Sequence, residues 1–231
     1  MATFPSSNSA FPRSGVDSRS AFITRTYTHL VGGILGFILI ELALFESGLA
    51  VQIAHFMLGF NWILILGAFM LVGWLASRTA QTSASRGMQY FSYAAYVAAE
   101  ALIFVPLLFI ADAKAPGAID SATLITVLGA GGLMIVAHRT RKDFSFLRAI
   151  LMWGGVVALL AIVGAAVFGL QLGTWFSVAM IGFAGAAVLY DTSNIIQHYP
   201  EDRYVSAAMQ LFASIALMFW YALRLVMDSR S

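Results

Sequence analysis

The stretch Ile181 to Tyr199 reads IGFAGAAVLYDTSNIIQHY, an apolar run of small residues that ends on one carboxylate, Asp191. If the helix continues to Tyr199, where Pro200 should stop it, Asp191, Asn194 and His198 fall at i, i+3 and i+7 on one face. A lone carboxylate in hydrocarbon costs about 2.5 kcal/mol or more on insertion scales. Such a face therefore belongs in a bundle interior or a wet cavity. The chemistry it offers is the handling of a cation or a proton by an oxygen acid. The other reading, still open at this point, is an interfacial acid that snorkels into the adjoining water.

Other chemistries lack their residues. The chain has no cysteine, which removes disulfides, thiolate metal sites and a cysteine nucleophile. No HExxH, GxSxG or GxGD pattern occurs, and His29, His55, His138 and His198 are dispersed near the ends of apolar runs. Lys114 and Lys142 both fall in connections, so no span offers an amine for a Schiff base. The residues give no reason to expect an enzyme, a resident cofactor or a nucleic-acid partner.

The elements that must position Asp191 follow from composition. With 60% hydrophobic and 10% charged residues in 231 positions and a mean hydropathy of +0.84, the chain is a polytopic α-helical membrane protein whose partner is the bilayer. Seven spans are expected: Thr28 to Glu46, Phe60 to Ala76, Met88 to Ile110, Ala122 to Ala137, Ala149 to Phe168, Trp175 to Tyr190 and Val205 to Met227. Pro106 should kink the third without breaking the bundle. Residues 1–24 are rich in Ser and Pro, have no apolar core of signal-peptide length and read as a disordered cytoplasmic tail. Residues 25–231 form the transmembrane domain. Ten Lys and Arg residues lie on the side of the N-terminus and three on the other, so the N-terminus is expected in the cytoplasm.

The last span carries Ser206, Gln210, Ser214, Tyr221 and Arg224 at helical spacing, with Leu217 between them, a semi-polar stripe suited to the centre of a bundle. The stripe reads either as interhelical packing or as one wall of a hydrophilic path. Glu100, about mid-depth in span three, is either a hydrogen-bonded packing residue or the lining of a cavity. Glu41 and Glu46 lie near the level of Arg224, where a latch between spans one and seven is expected.

Several stretches carry a resemblance: Tyr190-Asp191-Thr192, Arg25-Thr26-Tyr27, Arg141-Lys142-Asp143-Phe144-Ser145, and Tyr204 with the helix start Ala207-Ala208-Met209-Gln210-Leu211-Phe212. In order and spacing they resemble the Bax inhibitor-1 family, also called transmembrane Bax inhibitor motif proteins. The resemblance covers roughly Arg25 to Met227. It implies a seven-helix bundle with a central last helix, a pH-sensitive calcium leak and, in some bacterial relatives, interaction with a membrane-bound AAA protease. In that family the acid of the Tyr-Asp-Thr motif pairs with a second acid on the last helix, and the two share protons as a pH sensor. Here Ser214 stands at the second position, so the dyad is absent and pH sensing is expected to be altered. Arg78, at the same end of span two, is the expected basic partner of Asp191.

The leading expectation is an inner-membrane cation leak, calcium first, with Asp191 at its cytoplasmic mouth. Thr192, Asn194 and Ser214 would supply further oxygens, and water the rest, for transient Ca2+ or H+ passage. The alternative is a regulatory protein that binds and modulates a membrane-bound AAA protease.

Overall fold

The computed structural model describes residues 14–83 and 85–230, with side chains from Ser18 onward. Eight helices follow in order: α1 (Ser14–Glu46), α2 (Leu49–Leu58), α3 (Trp62–Thr82), α4 (Arg86–Lys114), α5 (Ala118–Thr140), α6 (Leu147–Phe168), α7 (Gly173–Gln197) and α8 (Tyr204–Arg230). Seven of them, all but α2, are long and apolar enough to cross a membrane, one for each expected span. No described residue is in a β-strand. The physics is that of chain in lipid, where a spanning segment must satisfy every backbone group internally.

The connections stop the helices by local chemistry. Gly48 and Gly117 adopt φ of 74°, a left-handed turn that glycine enters without a Cβ clash. The Asn61 side chain accepts from Ile63 N at 2.9 Å and caps the start of α3. α4 runs uninterrupted through Pro106, which is buried.

Two features depart from the sequence reading. The first is α2, ten residues with Ala50 and Ala54 buried, which falls between the first two expected spans and belongs to neither. It is too short to span, and its small residues seat it beside Val105 of α4. The second is the start of α1. Residues 14–24 are helical rather than part of a tail, and residues 1–13 lie outside the described residues. The cause is tertiary: the Arg19 guanidinium donates to the carbonyls of Ile195, Ile196 and Tyr199 at 2.7, 3.1 and 2.5 Å. The first two are orphan acceptors in the last turn of α7, and Tyr199 lies two residues past its end. Phe22, one turn on, is 2% exposed and stacks on Tyr199.

α8 is the central helix. It packs against α1, α3, α4, α5 and α7, and 56% of its apolar window is buried inside the protein, as in α4, against 6% for the peripheral α6. Phe104 of α4 sits where three elements meet. Its ring is edge-on to Phe37 at 5.2 Å and Trp220 at 5.0 Å, and stacked on Phe219 at 5.7 Å. Such aromatic pairs add to the packing that holds a bundle together in lipid.

Candidate functional site

α7 delivers Asp191, and α8 meets it. The Asp191 carboxylate is 4% exposed and accepts from Gln210 Nε2 at 2.7 Å and Ser214 Oγ at 2.5 Å. Gln210 and Ser214 are one turn apart on α8, so a single helix face supplies both donors. A buried carboxylate is tolerable when its lone pairs are met. Here they are met by neutral groups.

Asp191, Asn194 and His198 line one cleft of about 790 Å³, together with Ser206, Gln210 and Ser214. The face read from their spacing is therefore real, and the acid lies within the bundle rather than out in bulk water. A second cleft of about 490 Å³ holds Glu100, Tyr96, Ser214, Leu217, Tyr221 and Arg224. The α8 stripe thus walls both clefts, with Ser214, Ala187 and Ala213 bordering each. In the second cleft the Tyr96 hydroxyl donates to Glu100 Oε1 at 2.7 Å, one turn of α4 away.

The other expected site residues are placed differently. Thr192 does not line the cleft; it is fully buried, beside the Tyr27 hydroxyl of α1, because it lies about 100° around α7 from Asp191. Arg78 is not the partner of Asp191. Its guanidinium rests over the Trp74 ring at 5.2 Å, an i, i+4 contact within α3 that takes the place of an ion pair. The outer latch is not formed either. Glu46 is exposed, Arg224 sits over Tyr221 at 6.0 Å in the second cleft, and Glu41 is buried with neither carboxylate oxygen hydrogen-bonded among the described residues. Glu41 shares the face of α1 that presents Phe37 and Phe45, which packs with α4 and the side of α8 carrying Leu223 and Val226. Arg224 instead lines the second cleft with Trp220 and Tyr221. No group of three or more His, Cys, Asp or Glu among the described residues could hold a metal ion.

Sequence reasoning missed Gln210 as a ligand of Asp191 and Arg19 as a cap on α7. Gln210 was visible as a member of the stripe, four residues before Ser214. Arg19 had no local signal. Around the cleft, the α5–α6 connection is fastened to α7. Ser193 Oγ donates to Lys142 O at 3.0 Å and accepts from Phe144 N at 3.2 Å, and Gln197 Nε2 donates to Lys142 O at 2.8 Å. In that connection the Ser145 N–H donates to the Asp143 carboxylate at 2.8 Å and, with His198 nearby, holds its carboxyl below the usual carboxylate range.

Seven apolar spans, the last of them buried and donating to a carboxylate in a cleft, define a multi-pass α-helical integral membrane protein. The family model described as "Inhibitor of apoptosis-promoting Bax1" matches residues 19–231. The chain belongs to that family, the Bax inhibitor-1 family. It is 38% identical over 104 residues to an uncharacterized Pseudomonas aeruginosa protein, PA2604, covering 44% of this chain and 46% of that one. It is 42% identical over 83 residues to the Escherichia coli K12 protein named "Modulator of FtsH protease YccA", covering 35% of this chain and 36% of that one. The same extent of match holds for an E. coli O6:H1 protein named "Inner membrane protein YccA". These matches span less than half the length of each relative.

Proposed function

We propose that this protein is an inner-membrane regulator of a membrane-bound AAA protease, with the N-terminus and the Asp191 cleft on the cytoplasmic side. The orientation rests on the basic residues: those at the N-terminal side of α1 and in the α3–α4, α5–α6 and α7–α8 connections outnumber those on the far side ten to three. The protease reading is supported by the likeness to a protein named as a modulator of FtsH protease. The observation that favours regulation over conduction is the cleft's lining. Asp191 is the single carboxylate among the residues that line it, and both its oxygens already accept from Gln210 and Ser214, whereas a divalent cation such as calcium takes several oxygen ligands.

The test is a deletion. Removing residues 1–13 leaves Arg19 bonded to α7, so it probes the N-terminal segment without unpinning α1. The full chain is expected to co-purify with an FtsH-type protease from detergent-solubilised membranes and to slow or redirect degradation of a membrane substrate in proteoliposomes. The deletion is expected to lose most of that capture while keeping its melting temperature. Degradation indifferent to the full chain would overturn the reading.

A second reading, a cation leak, is favoured by one observation: the two clefts share Ala187, Ala213 and Ser214, so the Asp191 cleft and the Glu100 cleft adjoin at small residues. Under this reading Ca2+ flux in proteoliposomes falls several-fold in Asp191→Asn, which keeps the shape and removes the charge. Flux equal to the parent's takes Asp191 out of any conduction path.

A further inference from the structure

On the N-terminal side of the bundle, next to the cleft that Arg203 lines, two guanidinium groups gather on one ring. Arg25 of α1 lies with its guanidinium carbon 5.7 Å from the centre of the Tyr204 ring, and Arg86 of α4 lies at 6.0 Å. Both side chains are exposed. Neither arginine takes part in the ion pairs of His198 with Asp143 and Arg203 with Asp202. Tyr204 is 6% exposed, a rigid floor beneath the two cations. The Tyr90 hydroxyl links the cluster: it is 3.0 Å from His29 Nε2 and 3.2 Å from the Tyr204 hydroxyl.

The backbone adds to the same field. Arg86 opens α4 and Tyr204 opens α8, and Arg203 Nη1 donates to Ser83 O at 2.6 Å, which ties the two helix starts together. The Ser85 side chain makes no capping bond at the start of α4, so N–H groups of its first turn point outward unmet by a side chain. Two positive helix ends, two guanidiniums and a hydroxyl form the chemistry that recognises a phosphate oxyanion. The apolar surface next to it sets the source. Met88 and Phe91 of α4 are 47% and 69% exposed, and Val31 and Leu35 of α1 are each 54% exposed, as a lipid-facing surface should be. The cations sit where that surface ends.

We infer that Arg25, Arg86, Tyr90 and the starts of α4 and α8 form a binding site for the phosphate of an anionic phospholipid, whose acyl chains lie against the exposed apolar surface of the neighbouring spans. The source is a lipid rather than free phosphate because the site borders hydrocarbon and opens at headgroup level.

The experiment uses the full chain, delipidated in detergent and examined by native mass spectrometry with phosphatidylglycerol, with phosphatidylethanolamine, and with phosphatidylglycerol plus millimolar inorganic phosphate. The parent is expected to retain one phosphatidylglycerol in preference to phosphatidylethanolamine. The double variant Arg25→Gln/Arg86→Gln is expected to bind it roughly tenfold or more weakly, in line with the electrostatic contribution of each basic residue at a membrane surface. Arg139→Gln/Lys142→Gln removes the same charge elsewhere on that side and is expected to keep the parent's affinity. Arg86→Glu alone, one exposed side chain changed, serves if the double variant is unstable, and should abolish the retained lipid. Equal loss in both double variants means diffuse charge attraction and overturns the site. Full displacement by inorganic phosphate overturns the lipid assignment, and unchanged retention in Arg86→Glu overturns both.

Discussion

Removing both donors to Asp191 at once, Gln210→Ala with Ser214→Ala, is expected to destabilise the protein by more than the two single changes added together. Each single change leaves the carboxylate one bond. Interhelical hydrogen bonds within membranes average about 0.6 kcal/mol, because the unfolded chain in lipid also finds partners. The double variant is different in kind, since it strands a buried carboxylate with no donor, at a cost on the order of 3 kcal/mol. The excess over additivity is the signature of a shared acceptor. The measurement is a thermal or denaturant unfolding series in detergent on the parent, both singles and the double. Adding Asp191→Leu to the double removes the stranded acceptor and should recover most of the loss. If the double costs no more than the sum of its parts, cleft water replaces the donors, and the 2.5 and 2.7 Å bonds are not what holds the acid in place. The same series separates structure from function, because the triple variant is expected to be stable yet to lack any activity that needs the charge.

Gly33→Ala is the second large effect, and its sign runs against helix propensity. Alanine in place of glycine inside a helix ordinarily gains about 1 kcal/mol. A Cβ on Gly33, however, would lie 1.9 Å from the Tyr93 hydroxyl oxygen and 2.6 Å from Cζ. Tyr93 is 6% exposed, and its hydroxyl donates to His29 O at 3.1 Å, so its ring has little room to retreat. α1 must then lift from α4, an overpacking cost of about 1–3 kcal/mol, which exceeds the propensity gain. Gly32, one residue earlier, has nothing within 4 Å of the same added atom, so Gly32→Ala should be neutral or mildly stabilising. A melting curve of the two variants decides it, and a Gly33→Ala protein at least as stable as the parent would show that the α1–α4 seam yields more readily than the distances indicate.

The Gly33 contact also marks where reading the chain stops. Nothing in Leu30-Val31-Gly32-Gly33 distinguishes the two glycines; only the approach of Tyr93, sixty residues away, does. The same holds at the cleft. Spacing alone put Asp191, Asn194 and His198 on one face, because the helical period is local, and all three line one cleft. Spacing also set out the stripe from Ser206 to Arg224, left open as packing or as a wall, and its first half lines the Asp191 cleft, its second half the other, with Ser214 in both. Which residues answer Asp191 depended on the register of α7 against α8, so Gln210 donates and Arg78 does not.

What the amino-acid order determined by itself is the set of seven spans, the buried last helix, the charge asymmetry between the two sides and the faces that carry polar groups. Each follows from hydropathy against the thickness of a bilayer or from the 3.6-residue period, properties of neighbouring residues alone. Tertiary structure decided the rest: α2, the helical start of α1 pinned by Arg19 to carbonyls some 176–180 positions away, the open latch, and the meeting of Arg25 and Arg86 on Tyr204. These depend on how each helix is turned about its own axis, and that rotation is set by packing between segments far apart in the chain.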